Sequence, residues 1–431
     1  MKKTVVSVLV VGVLAIATWV AASAYTGYQA KAGIEALTAP APDSTPLRFS
    51  DLKHNQGVFG SSGTVTLHYP DPDAEQQPRA DLFQMEIAYA IDHRVTIDSM
   101  LRFDWTASLI GQAAQNLAQT FGQNPELSGA GDLDWQGAAQ SRYTIPALEA
   151  TRGDEVLVMS AITGRFKLQQ AELWFDLNMP ALRITDKEET LSLKQIELAL
   201  HAQDRFTGEG RSEFRVAEID FAQGNATGLK IIAINTFSEN RIDVSINKSI
   251  DQLAIAGTRV SDVELDLIFD DLYAPSVTSL SAVMNTAGNL DNLTPAQQQV
   301  VQGALRDLFA YGFSVGVADL SAVTDKGAVS GQAITTIKAA SDLNRDQNSP
   351  FQFDAAKQLE VIAALNVEGQ AVAPEVMALG MMFGVLVPSE TGFKSSLLLK
   401  EGQLVVNDIV VPFTEELRQI NNLITAALRS P

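Results

Sequence analysis

Chemistry in this chain would have to come from few residue types. It has no cysteine, so thiol catalysis and disulfides are excluded. The four histidines, His54, His68, His93 and His201, stand singly. Without cysteine or paired histidines, a tetrahedral zinc site is not expected. Ser61, Ser62 and Gly63 read as a turn, with His54 and His68 near in sequence. A serine hydrolase would also need a carboxylate to orient the imidazole, and no aspartate is placed for that. Asp262, Glu264, Asp266 and Asp270 alternate with Val263, Leu265, Leu267 and Phe269. Such a carboxylate face could take calcium or do acid–base work, but a half-buried strand produces the same pattern with a solvated face. No glycine-bearing calcium loop joins Asp270 and Asp271 to Asn285.

The remaining motifs are structural in type. Gly129-x-Gly131 and Gly208-x-Gly210 are followed by strands rather than helices, so they read as turn glycines and not as a dinucleotide fingerprint. Gly-x-Ser-x-Gly, His-Glu-x-x-His and phosphate-loop patterns are absent. The expectation is a protein that is not an enzyme and carries no cofactor. Met377, Met381, Met382 and Phe383 lie on a segment with Leu379, Val385 and Leu386 that is apolar nearly all round. Flexible thioethers suit either core packing or an adaptable apolar ligand site, and all-round apolarity favours burial.

The elements that must position these residues are mostly strands. Period-two alternation runs through Val65–Tyr69, Phe83–Ile91, Leu173–Met179, Ile196–Leu200, Ile242–Ile246 and Val263–Phe269. Turn residues separate the runs as in a meander of hairpins. Trp105, Leu109, Ala113, Leu117 and Phe121, spaced by four, predict a helix closed by Asn124 and Pro125. Thr294 and Pro295 start another helix, and Pro374 a third that ends before Pro388. The segment 358–367 is apolar and ambiguous. A hairpin follows around Glu401 and Gly402. The last helix, from Pro412 to Leu428, puts Phe413, Leu417, Ile420, Ile424 and Leu428 on one face for docking. The fold class predicted is α+β and β-dominated: an N-terminal transmembrane helix, then a long, largely antiparallel, groove-like β-meander with about five helices packed on it.

Thr4–Ala24 contains no charge and follows Lys2 and Lys3. As a helix it would be about 31 Å long, enough to span a bilayer core. The lysines predict a cytoplasmic tip at residues 1–3 and a periplasmic body, which places the protein at the inner membrane as a single-pass protein. Ala22, Ser23 and Ala24 also form a small-x-small cleavage site, so a removed signal peptide is the competing reading. Residues 25–48, with Pro40, Pro42 and Pro46, read as a linker. The exported part is then 49–431, with a sub-boundary near 274–295. A net charge of −20 excludes nucleic acid as a natural partner and leaves membrane contact to the apolar stretch.

Several short motifs resemble the YdgA-like family of bacterial envelope proteins. His54, Gly57, Val58, Phe59 and Ser61 resemble its His-x-x-Gly-apolar-Phe-x-Ser opening. Met179–Arg183 resemble its proline-containing strand opening, Phe206–Gly210 an apolar-x-Gly-x-Gly, and Lys400–Asn407 its terminal hairpin. Asp408 stands where members carry glycine, and His93 is followed by Arg94 and Val95 rather than Gly-Pro. The resemblance implies a membrane-anchored, β-rich envelope protein without assigned catalytic residues. The long strands are also similar in architecture to AsmA- and TamB-type lipid-groove proteins. Two functions follow as expectations: binding or conducting an apolar ligand, lipid above all, in envelope maintenance, or a scaffold that grips envelope proteins, with a homodimer through the terminal helix.

Overall fold

The computed structural model describes residues 30–31, 48–70, 81–122, 124–187, 189–205, 207–287, 293–340 and 353–428. Thr4–Ala24 lies outside the described residues, as does nearly all of the linker at 25–48. Among the described residues no helix is long and apolar enough to cross a membrane. They contain twenty-two strands and six helices. Every strand pairing is antiparallel in the registers that follow. The chain divides into two compact units, residues 1–190 with 197–205 and residues 191–196 with 206–431. Residues 274–295 lie inside the second.

The first unit begins with β1 (Arg48–Gln56), β2 (Gly60–Pro70), β3 (Asp81–Asp92), β4 (Leu101–Ile110), α1 (Gly111–Phe121), β5 (Glu126–Leu133) and β6 (Ala139–Ile145). These strands pair in sequence order. The order then breaks. β7 (Leu148–Arg152) and β8 (Glu155–Met159) form their own hairpin, and β6 pairs with β9 (Ile162–Gln169). The long β10 (Glu172–Asp186) takes β9 along its first half and β8 along its second. Pro180 sits between the two halves, so its missing N–H falls where neither partner needs a donor. It is therefore inside a strand rather than at its opening. Ser160 closes the junction, its Oγ accepting from Ala181 N at 2.8 Å.

Two sequence readings are corrected here. Trp105 and Leu109 belong to β4, opposite Tyr89 and Met85, and the helix begins only at Gly111. A spacing of four is also a multiple of two, so it marks one face of a strand as well as one face of a helix. Ser61, Ser62 and Gly63 lie in β2. The reversal is earlier, where Gly57 N donates to Gly60 O at 2.8 Å.

Beyond β11 (Glu189–Asp204), the second unit is a meander. β12 (Glu209–Phe221), β13 (Gly224–Ser238), β14 (Arg241–Ile255) and β15 (Thr258–Tyr273) are joined by tight turns. Ala256 and Gly257 supply the left-handed pair that a two-residue hairpin between β14 and β15 needs, at φ 49° and 84°. α2 (Ala274–Ala287) and α3 (Pro295–Tyr311) then intervene before β16 (Phe313–Thr324) and β17 (Gly327–Ile337). α3 opens on a capping box: Gln297 N donates to Thr294 Oγ1, and Thr294 N donates to Gln297 Oε1 at 2.9 Å. Its last carbonyls are held by Arg241, whose guanidinium donates to Tyr311 O and Gly312 O, each at 3.0 Å.

The ambiguous segment resolves into α4 (Ala355–Gln358) and β18 (Leu359–Glu368). α5 (Pro374–Met382), β19 (Val387–Pro388), β20 (Gly392–Lys400), β21 (Gln403–Val406), β22 (Ile409–Val411) and α6 (Thr414–Leu428) complete the chain. Leu417 and Leu428 of α6 are buried with Ala310, Ile337, Phe353, Ala355 and Leu399, and Phe413, Ile420 and Ile424 pack on the same cluster. Asn421 fixes the helix to α4 by accepting from Ala355 N at 2.6 Å. Asn407 and Asp408 turn β21 into β22 with φ 48° and 65°. Asparagine and aspartate tolerate this left-handed geometry, so the glycine expected at Asp408 is not required.

Candidate functional site

Three histidines in the first unit each meet a hydroxyl. His54 Nδ1 lies 2.8 Å from the Tyr89 hydroxyl, His68 Nε2 2.7 Å from Ser50 Oγ, and His93 Nε2 2.9 Å from Ser61 Oγ. His201, the fourth, stacks on Trp174 with ring centroids 4.7 Å apart. A serine beside a histidine is the start of a nucleophile–base pair. The Ser61–His93 pair is nevertheless enclosed, His93 being 0% and Ser61 6% exposed, so no substrate carbonyl can approach. Ser50 Oγ donates to Asp51 Oδ2, so the serine proton is directed to a carboxylate rather than to the His68 imidazole that a nucleophile–base pair requires. Burial, followed by the charge of His54, holds His93 below the ordinary histidine range; Asp92 opposes the shift.

The glycines Gly129 and Gly131 are not turn residues. They lie within β5, opposite Trp105 and Phe103. A Cβ at Gly129 would be 2.5 Å from Trp105 Cε2. The bare strand lets the indole lie across β5, so that Trp105 Nε1 donates to Ser141 Oγ on β6 at 3.0 Å. The same device recurs at Tyr143, which crosses Gly164 of β9 and donates to Asp176 O of β10 at 3.0 Å. The Tyr143 hydroxyl is pushed up to about 12 by burial and then by the Asp176 carboxylate. Gly208, by contrast, is a turn residue at φ 80°.

The other face of this sheet carries charge around a hollow of about 700 Å³. Successive cross-strand neighbours Ala130, Arg142, Arg165 and Asp176 form one row; Arg102, Asp132, Gln140, Lys167 and Trp174 form the next. Arg165 Nε donates to Asp176 Oδ2 at 2.5 Å, Gln140 Nε2 donates to Asp132, and Lys167 Nζ lies 5.2 Å from the Trp174 ring centre. Sequence reading passed over these residues. Their signal is basic residues at strand positions, but which strands neighbour one another is not a local property.

In the second unit, the four methionine and phenylalanine candidates part company. Met377 is buried against Val367 and Leu386. Met381, Met382 and Phe383 are exposed, Met382 at 69% and Phe383 at 71%. The all-round apolarity of α5 therefore does not mean all-round burial. Val376, Leu379 and Phe383, spaced by three and four, make a continuous exposed stripe flanked by Met382. Gly380 lets Leu386 fold back against the other side of the helix, where a Cβ would meet Leu386 Cδ1 at 2.5 Å. Asn407 holds this exit in place, its Nδ2 donating to Gly384 O and Val385 O at 3.0 and 2.9 Å. The turn it begins leads into β22, where Ile409 and Val410 are also exposed.

The acidic alternation of β15 does not converge. Asp262 occupies a bulge at φ 51°, and Asp266 is tied to Asn247. Burial, then Asp243 and Asp271, pushes the Asp270 carboxyl up. Among the described residues no group of three or more acidic or histidine side chains could hold a metal ion.

The chain is antiparallel and β-dominated, with an enclosed Ser–His pair, a charged hollow and an exposed apolar stripe on α5. It belongs to DUF945, a bacterial protein family of unknown function, whose sequence model matches residues 1–413. The α6 helix begins one residue beyond that match. Neither the curated proteins nor the solved structures provide a match.

Proposed function

We propose that this chain is a non-enzymatic periplasmic protein, tethered to the inner membrane through Thr4–Ala24, that binds the acyl part of a lipid on the exposed side of α5. The observation that carries the reading is the stripe Val376, Leu379, Met382 and Phe383. Single exposed apolar residues are ordinary, but a contiguous run of this size marks an interaction surface. Methionines adapt to irregular chains without a fixed pocket shape. The resemblance to the YdgA-like envelope family supports the tether, and the similarity in architecture to lipid-groove proteins supports the ligand class. Alkaline carbonate should leave the full chain in the membrane pellet; release into the soluble fraction with Tyr25 as first residue would remove the tether.

The ligand is tested by extracting the purified full chain and identifying bound lipid by mass spectrometry. Leu379→Ser with Phe383→Ser should lose that lipid without a change in melting temperature. Wild-type protein without lipid, or equal lipid in the variant, would overturn the reading. A wild-type dimer that the same variant converts to monomer would favour the scaffold function instead. That dimer would form through α5, because the apolar face of α6 packs within its own chain.

A further inference from the structure

The charged hollow belongs to the first unit and the apolar stripe to the second, and an inference from the hollow stands or falls independently of the lipid reading. Arg142 and Arg165 are direct cross-strand neighbours on β6 and β9. Like charges placed opposite each other destabilise a sheet. Arg165 has Asp176 as a partner. The Arg142 guanidinium has no hydrogen bond or ion pair among the described residues, and its neighbour on the other side is Ala130. Ala130 offers it only a methyl group, and both residues line the hollow. Around it stand Arg102 and Lys167, while the lining carboxylates are Asp132 and Asp176. Four cations and two carboxylates line the hollow, and Asp104 and Asp92 continue its two rows beyond Ala130 and Arg102, in a chain whose net charge is −20.

We infer that this hollow binds a phosphate group, with the forked donors of Arg142 and Arg165 on its oxygens and Lys167 and Arg102 at its rim. Paired guanidinium forks match the geometry of an oxyanion, and a bound anion between them turns the repulsion into attraction. A phosphate monoester carries about two negative charges at neutral pH, so it answers both guanidinium groups, where a single carboxylate answers one. Trp174, braced by Lys167 and stacked on His201, gives the hollow one rigid apolar wall beside the anion.

The test measures binding of sodium phosphate, glycerol phosphate and sodium acetate to the full chain by calorimetry. Flotation with phosphatidylcholine vesicles, with and without phosphatidic acid, forms the second arm. Phosphate or glycerol phosphate should bind, and Arg142→Gln should weaken binding at least tenfold; Arg142→Lys, which keeps the charge and loses the fork, should fall between. Binding of the free phosphates identifies a soluble ligand, whereas binding confined to phosphatidic acid vesicles identifies a lipid headgroup. In phosphate-free buffer, Arg142→Gln should melt no lower than wild type, because it removes a cross-strand repulsion. Arg259→Gln, in the second unit, should change neither measurement. Wild-type protein that binds neither phosphates nor phosphatidic acid would overturn the assignment. So would acetate binding as tightly as phosphate, equal binding by Arg142→Gln, or a lowered melting temperature of that variant without ligand.

Discussion

Trp105 Nε1 donates to Ser141 Oγ at 3.0 Å, reaching over the whole of β5 to do so. The bond spans two strand spacings and exists only because Gly129 leaves the strand between them bare. Tyr143 repeats the arrangement over Gly164. Two rings lying on glycines thus tie β4 to β6 and β6 to β10.

Gly129→Ala should therefore be costly. The added Cβ would meet Trp105 Cε2 at 2.5 Å and Arg142 O at 2.7 Å, and backbone cannot move aside as a flexible side chain does. The expected loss is about 2 kcal/mol or more, seen in thermal or urea unfolding of the full chain. Trp105→Phe removes the donor to Ser141 together with part of the ring that covers Gly129, and should cost about 1 kcal/mol or more. An alanine variant as stable as wild type would show that the indole has another resting place.

His93 should make stability fall on acidification. Its folded pKa is depressed, so the neutral ring is favoured in the native state. The stabilisation is complete above the unfolded value of about 6.5 and is lost as the pH falls below it towards the folded value. Asp270 and Asp307, whose carboxyls burial raises, act in the opposite sense at lower pH, where the native state takes up protons first. Melting temperatures of wild type and His93→Gln, compared from pH 7.5 to 5, should converge as the pH falls. A constant difference across that range would assign the enclosed ring no part in the pH response.

Leu417→Asp should destabilise the chain by about 3 kcal/mol or more at every protein concentration. Leu417 is 5% exposed, among Ala310, Phe353 and Leu399 of the same chain. Dilution series of the melting temperature would check this: a concentration-dependent loss would place the helix in an interface between copies.

Thr294→Ala removes the cap of α3 and leaves the Gln297 amide without its hydroxyl acceptor. A loss of about 1 kcal/mol is expected, recovered largely by Thr294→Ser or Thr294→Asp. Equal stability of the alanine variant would mean that Arg241 at the far end holds the helix without help from its start.

Local chemistry was legible in the sequence. Alternation marked the strands from Leu173 to Phe269, because a side-chain period of two needs no partner to be recognised. Thr294 with Pro295, and the turn at Glu401 and Gly402, announced themselves through residues suited to one backbone conformation. Where one spacing fits two structures, the sequence was silent: Trp105 and Leu109 share a face on a strand as well as on a helix, and pairing of β4 with β3 and β5 decided between them. Apolarity of α5 was plain, but which side would be covered depended on Leu386 folding over Gly380. The hollow around Arg142 shows the limit most clearly. Arg142 and Arg165 are far apart in the chain, and the β7–β8 hairpin stands between them. They became neighbours only when β6 passed over that hairpin to pair with β9, because strand pairing is a non-local contact, settled by the sheet as a whole rather than by any stretch of it.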